Sequence, residues 1–225
     1  MRRETLAAIN NARRANRAIV RATDLASGDE HLIDPYADSS PLGLAAREAA
    51  RADRSQPVEI EGRSWFIGVF NPPLDLCIIG AVHIAQPLAQ MAALTGYGVR
   101  IIDPRTAFAT AERFPGVALS HDWADEALEK QPLGPRSAVV ALTHDPKLDD
   151  PALIAALRSN CFYIGALGSK KTHAGRLARM KEQGFSDNEL SRIRGPVGLN
   201  IGAKTPAEIA ISVIAEMTQT LRAGG

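Results

Sequence analysis

Four short stretches of this chain combine glycines with residue types that bind anions or move protons. The first is LDLCIIGAVHIAQPLAQMAALTGYGVRIIDPR, in which an apolar run ends at Gly80 and a second ends at Asp103. Glycine, helix and strand-end acid in that order are the parts of a dinucleotide-binding turn, with Asp103 placed to receive a ribose hydroxyl. Val82 occupies the position of the middle glycine, where a β-branched side chain blocks the approach of a pyrophosphate, and Arg105 closely follows the acid. His83 then either faces a ligand from a helix N terminus or packs locally. The second stretch, Thr143-His144-Asp145-Pro146, brings an imidazole and a carboxylate to the end of an apolar strand, a pair suited to proton transfer, to metal coordination through water or to hydrogen bonding a ligand. Asp149 and Asp150 precede Pro151, and a helix N-cap accounts for one of them. The third, Gly165-Ala166-Leu167-Gly168-Ser169-Lys170-Lys171-Thr172, leads glycines into a helix whose first turn carries a hydroxyl and two lysines, either a seat for phosphate or a simple glycine turn with Ser169 as the helix N-cap. Its spacing is not that of a P-loop. The fourth runs from Gly195 through Gly198 and Gly202 to Thr205-Pro206, where another helix N terminus points either at an anion or at a neighbouring strand.

The elements that must position these loops alternate strand and helix from Leu74 onward. Expected strands are Leu74–Ile79, Val99–Ile102, a weaker one including Val117–Ser120, the continuous apolar run Ser137–His144 and the run CFYIGALG. Expected helices are His83–Thr95, Pro151–Arg158, Lys170 to about Gln183, and a last one opened by the capping box Thr205/Glu208. Such alternation implies right-handed crossovers and a Rossmann-like, doubly wound α/β fold with a mostly parallel sheet. In that fold ligands sit beyond the carboxyl ends of the strands, where all four loops lie. Residues 1–71 read as a small α+β region, with a helix Arg3–Arg14, a hairpin around the ASGD turn, an alanine-rich helix Leu42–Ala52 and a hairpin around Glu61-Gly62. Pro72-Pro73 marks the boundary, so the second domain spans 72–225.

Bulk properties exclude several classes. A net charge of +1 over 225 residues argues against a nucleic-acid partner, and the N-terminal arginines, with no aromatics among them, read as a solvated helix face. No run of about 18 apolar residues and no secretory h-region occurs, which leads to the expectation of a cytoplasmic protein without a membrane span. Cys77 and Cys161 share no metal or redox spacing and read as reduced, buried residues, so no metal site is expected.

THDPKLDDPAL, YIGALGSKKTHAGRL and GPVGLNIGAKTPAEIAISVIAEM, in this order, resemble the C-terminal Rossmann-like domain of the xanthine dehydrogenase accessory protein family (XdhC/CoxI). GAVHIAQ followed by D-P-R is similar to that family too, and the resemblance spans Leu74–Arg222. It implies a chaperone, not a turnover enzyme, that binds the molybdenum cofactor as molybdopterin or its cytosine dinucleotide and passes it to a molybdenum hydroxylase. By the same resemblance Gly80, His83, Asp103, Arg105, His144, Asp145, Ser169 and Lys170 line the cofactor site, while Gly165, Gly168, Gly202 and Thr205 complete the two phosphate-binding turns. A sulfurating desulfurase or a nucleotidyltransferase is a further implied partner, and a homodimer a candidate assembly. Residues 1–71 lack the glycine-rich, cysteine-bearing motif of longer members, and their exposed parts are candidates for contact with the recipient enzyme. Two alternatives remain open: an NAD(P)-dependent oxidoreductase and a nucleotide-sensing module. Val82 counts against the first.

Overall fold

The computed structural model describes residues 2–15 and 17–223. The chain forms two compact units, the second running from Pro73 to Leu221. In the first unit, α1 (Arg3–Arg14) buries Thr5, Ile9 and Ala12 and leaves Arg3, Arg13 and Arg14 in solvent. Strands β1 (Ile19–Asp24), β2 (Glu30–Ile33), β3 (Gln56–Ile60) and β4 (Arg63–Phe70) make an antiparallel sheet in the order β2-β1-β4-β3. The Asp24 carboxylate turns the first hairpin by accepting from the amides of Ala26 and Ser27. Helix α2 (Pro41–Ala52), capped by Ser40, lays Ala46, Ala49 and Ala50 against Val20, Ala22 and Ile67 of the sheet. Small residues at helical spacing let the helix approach the pleated surface closely.

The second unit is a doubly wound sheet of six parallel strands, ordered β10-β9-β8-β5-β6-β7. Its strands are β5 (Leu74–Ile79), β6 (Tyr97–Ile102), β7 (Ala118–Ser120), β8 (Ser137–Ala141), β9 (Tyr163–Ala166) and β10 (Ile193–Arg194). Alternate side chains of each strand point to opposite faces, and both faces are covered. Leu76, Ile78, Ile101 and Val140 pack against α3 (Ala85–Leu94) and α8 (Pro206–Ala223), through residues such as Leu88, Val213 and Met217. On the other face Cys77, Ile79, Val139 and Ile164 meet α4 (Ala124–Lys130), α5 (Pro146–Arg158) and α6 (Lys170–Glu182), through Leu128, Leu153 and Met180. A short α7 (Asp187–Leu190) precedes β10. Both cysteines are free and buried, and burial pushes both thiols up, Cys77 to about 12.

The chain leaves the sheet centre at β5, builds outward through β6 and β7, and returns to place β8 beside β5. The reversal puts a crevice beyond the ends of β5 and β8, the place where open α/β sheets take ligands.

One boundary differs instructively from the sequence reading. Helix α5 starts at Pro146, not Pro151, and its N-cap is Asp145, whose side chain accepts from the Lys147 amide at 2.9 Å. Asp145-Pro146 is a cap followed by a proline at the first helical position, which starts a helix earlier than the acids before Pro151 would. Pro151 is then inside the helix, where it removes one backbone bond, to the carbonyl of the exposed Lys147. Neither Asp149 nor Asp150 is a cap. Helix α3 likewise begins two residues later than expected, leaving His83 in the preceding turn.

Candidate functional site

Three of the four strand-end loops come together. Gly80 adopts φ +101°, and a Cβ there would stand 2.4 Å from Thr143 Cγ2, so the loops after β5 and β8 touch at this residue. Alanine at position 80 would face both a left-handed backbone and that clash, and is expected to destabilise the second unit by about 2–4 kcal/mol in chemical denaturation. Gly168, at φ +141°, brings the loop after β9 to its neighbour: a Cβ on it would lie 3.0 Å from Thr172 Cβ and 3.6 Å from His144 Nδ1.

The first loop is tied to the next strand. Asp103 is fully buried, and its carboxylate accepts from Ala81 N at 2.8 Å and from Arg105 through the backbone amide, Nε and Nη2 at 3.0, 2.9 and 2.8 Å. Burial would raise its pKa, but the hydrogen bonds from Arg105 and Ala81 outweigh burial and hold the carboxyl below its usual range. The carbonyl of Ala81 accepts from Arg113 Nη1 at 2.9 Å. Val82 is half-buried and packs on the core. Asp103 therefore holds the glycine turn shut instead of waiting for a ribose. Arg105 stacks over Phe108 at 4.6 Å, keeps a partly exposed side chain, and feels the charges of Asp145 and Asp149 across the crevice. His83 is exposed at the entrance to α3, which has no side-chain cap and no acid in its first turn.

The second loop is built on Asp149, which sequence reasoning left to capping. It is buried, and its two oxygens accept from Thr143 N at 3.2 Å, Thr143 Oγ1 at 2.7 Å and His144 N at 3.1 Å. Burial raises its pKa, against those donors. The three bonds set the strand-end turn and hold His144 at φ +63°, a conformation histidine tolerates better than most non-glycine residues. Its imidazole is thereby presented at the lip, exposed, beside Gly168.

The third loop supplies the positive end of α6. Ser169 is the N-cap, accepting from Thr172 N at 3.1 Å, and Lys170 and Lys171 are exposed in a first turn without acids. Behind it lies Arg176, 2% exposed, whose Nη2 donates to Leu167 O at 2.8 Å. Sequence reasoning missed this residue. The available signal was its spacing: Arg176 and Met180 share the buried stripe of α6, a place where a guanidinium needs a reason. Gly165, by contrast, lies inside β9, where a Cβ would meet Val197 Cγ2 at 2.5 Å and Tyr163 Cε1 at 2.8 Å; it serves packing.

The fourth loop meets the third at its near end, where Val197 N donates to Ala166 O at 3.2 Å, but its far end stands apart. No hydrogen bond or ion pair among the described residues joins Gly202 or Thr205 to the other three loops. The N terminus of α8 already carries a carboxylate: Glu208 accepts from Thr205 N at 2.9 Å and Lys204 N at 2.7 Å, while Thr205 Oγ1 accepts from Glu208 N. Those backbone bonds hold the Glu208 carboxyl below its ordinary range. An occupied, negatively charged helix end is a poor phosphate seat.

Among the described residues no group of three His, Cys, Asp or Glu side chains could hold a metal ion, and no helix is long and apolar enough to cross a membrane.

The arrangement is that of a Rossmann-like protein in which the acid after β6 is bonded into the glycine turn, and an acid-free helix end stands beside a histidine. Residues 76–217 match the XdhC Rossmann domain, and the chain belongs to that family. It is 36% identical over 148 residues, 66% of the chain, to the molybdenum cofactor insertion chaperone PaoD of Escherichia coli, covering 40% of that protein. It is 36% identical over 158 residues, 70% of the chain, to a probable xanthine dehydrogenase component of Bacillus subtilis, covering 46% of it. An uncharacterized Escherichia coli protein, YqeB, is 34% identical over 69% of this chain and 29% of its own length. The chain thus spans less than half the length of these relatives. A crystal structure of a xanthine dehydrogenase from Bacillus halodurans has the same fold, with a TM-score of 0.70 at 23% identity, over 99% of this chain and 65% of that one.

Proposed function

We propose that this chain binds the molybdenum cofactor, as molybdopterin or its cytosine dinucleotide, and delivers it to a molybdenum hydroxylase, the cofactor being its cargo. One observation carries the reading. The loop after β5 meets that after β8 at Gly80 and Thr143, the loops after β8 and β9 meet at a lip formed by His144, Gly168 and Ser169, and α6 opens there with a hydroxyl cap, two lysines and no acid. A helix end of that kind suits the phosphate of a pterin cofactor. In this reading His144 and the partly exposed Arg105 meet the pterin or nucleotide edge. His83, exposed before α3, is a further contact in this reading, while Asp103 and Asp145 act by positioning, as latch and cap. Gly202 and Thr205 have the weaker claim, because Glu208 already occupies their helix end. A nicotinamide reading is less well supported, since the acid that would take the ribose is consumed by Ala81 and Arg105.

The recipient enzyme sets the second half of the function, and exposed parts of residues 1–71 are its proposed contact.

The test is to incubate the purified protein with molybdopterin, separate free ligand, and measure retained pterin by its fluorescence. Wild type is expected to retain it, and Ser169→Asp to bind at least about tenfold less, because a carboxylate beside the phosphate repels it. Aspartate is itself a good N-cap, so helix α6 and the melting temperature should be unchanged. Tight NADH binding with indifference to molybdopterin would overturn the proposal.

A further inference from the structure

Arg176 is a buried cation with most of its donors unmatched. It is 2% exposed, Nη2 is bonded to Leu167 O, and Nε and Nη1 have no hydrogen-bond partner. Its acidic neighbours are already in use. Asp149 is bonded to Thr143 and His144, and Asp150 takes a two-pronged bond from Arg179 at 2.6 and 2.9 Å. A guanidinium so placed weakens the fold unless something else draws on it.

Its position says what that is. Ser169, Thr172 and Arg176 follow one another along a single stripe of α6, and side chains on a helix lean toward its N terminus. Arg176 therefore reaches back to Leu167, the residue that leads into the Gly168–Ser169 turn. Thr172 and the His144 imidazole both crowd Gly168, at 3.0 and 3.6 Å from where a Cβ on it would stand. The outside of the turn offers the Ser169 hydroxyl, Lys170 and the first amides of α6, and the inside offers a full positive charge shielded from water.

We propose that Arg176 is the internal charge of a phosphate seat at the α6 N terminus, a seat that takes a phosphate monoester dianion. The lysine on the surface is screened by solvent, whereas a buried charge keeps its reach. The seat trades some stability of the empty protein for affinity, as functional sites commonly do. This inference rests on the phosphate seat of the proposed function, but not on which cofactor carries the phosphate.

Inorganic phosphate is the probe, with sodium chloride at equal ionic strength as reference, and the melting temperature of the full chain is the readout. Wild type should be stabilised by phosphate over chloride. Arg176→Met should melt higher than wild type in chloride, yet lose the phosphate shift, with apparent affinity at least about tenfold weaker. Arg176→Lys, which keeps the charge, should retain most of the shift. A folded Arg176→Met with the wild-type phosphate shift overturns the assignment, and so does a wild type that responds equally to both salts. Should Arg176→Met not fold, Arg176→Gln, which can still bond Leu167 O, is read by the same criterion. Failure of both to fold makes Arg176 a structural residue and also overturns it. A wild type that shows no phosphate shift yet retains molybdopterin removes this inference and leaves the proposed function standing.

Discussion

Asp149→Ala is expected to destabilise the second unit by about 3–5 kcal/mol, on the order of a 10 °C fall in melting temperature, whereas Asp145→Ala costs about 1 kcal/mol. The two acids stand four residues apart in sequence and differ in what leans on them. Asp145 is exposed and makes the ordinary N-cap bond to Lys147 N, which water replaces at modest cost. Asp149 is buried under Thr143 and His144, and losing it leaves two strand-end amides and a hydroxyl without their acceptor. It also removes a negative charge that supports the Arg176 cation. Because those same bonds hold His144 in its left-handed conformation, Asp149→Asn should weaken cofactor retention even if it folds. Calorimetry on the variants checks the ordering; equal losses at the two positions would contradict the assignment of Asp149 as the organiser of the loop.

Asp103→Asn is the second large effect, at about 2–4 kcal/mol near neutral pH. The amide cannot accept from Ala81 N and both prongs of Arg105 as the carboxylate does. The pH dependence has a definite sign. Asp103 is more acidic in the folded protein than in the unfolded chain, so its contribution is fully present above the unfolded value of about 4 and is lost as pH falls through the folded one. The gap between wild type and Asp103→Asn should therefore close in acid, below about pH 4. Denaturant titrations across that range measure it, and a gap independent of pH would mean that the charge on Asp103 is not what closes the glycine turn. Asp149, whose pKa is raised, titrates the other way: protonating it as pH falls favours the folded state.

The differences between sequence and structure lie at the site. Periodicity predicted each long strand and helix of the second unit, because a strand buried on both faces must be apolar throughout. The short elements α4, α7 and β10 gave no such signal. Ser169 was legible as a cap because capping is local, and the structure shows it. Asp145 and Asp149 were exchanged in role, since either could cap a helix and only the depth of the strand end decides which is buried. Asp103 looked like a ribose acid by its distance from Gly80, and the partner that consumes it, the Ala81 amide, is supplied by the neighbouring strand's loop.

By itself, then, the sequence determined the doubly wound α/β class, the four strand-end loops and the family resemblance, all of which follow from local pattern and hydrophobic period. Only the tertiary structure decided which loops meet, which carboxylates are spent inside the protein, and that Arg176 lies buried behind the α6 terminus. Those outcomes depend on strand order, which sets β5 beside β8 and β8 beside β9, and on burial, which changes the chemistry of a charge without changing the residue.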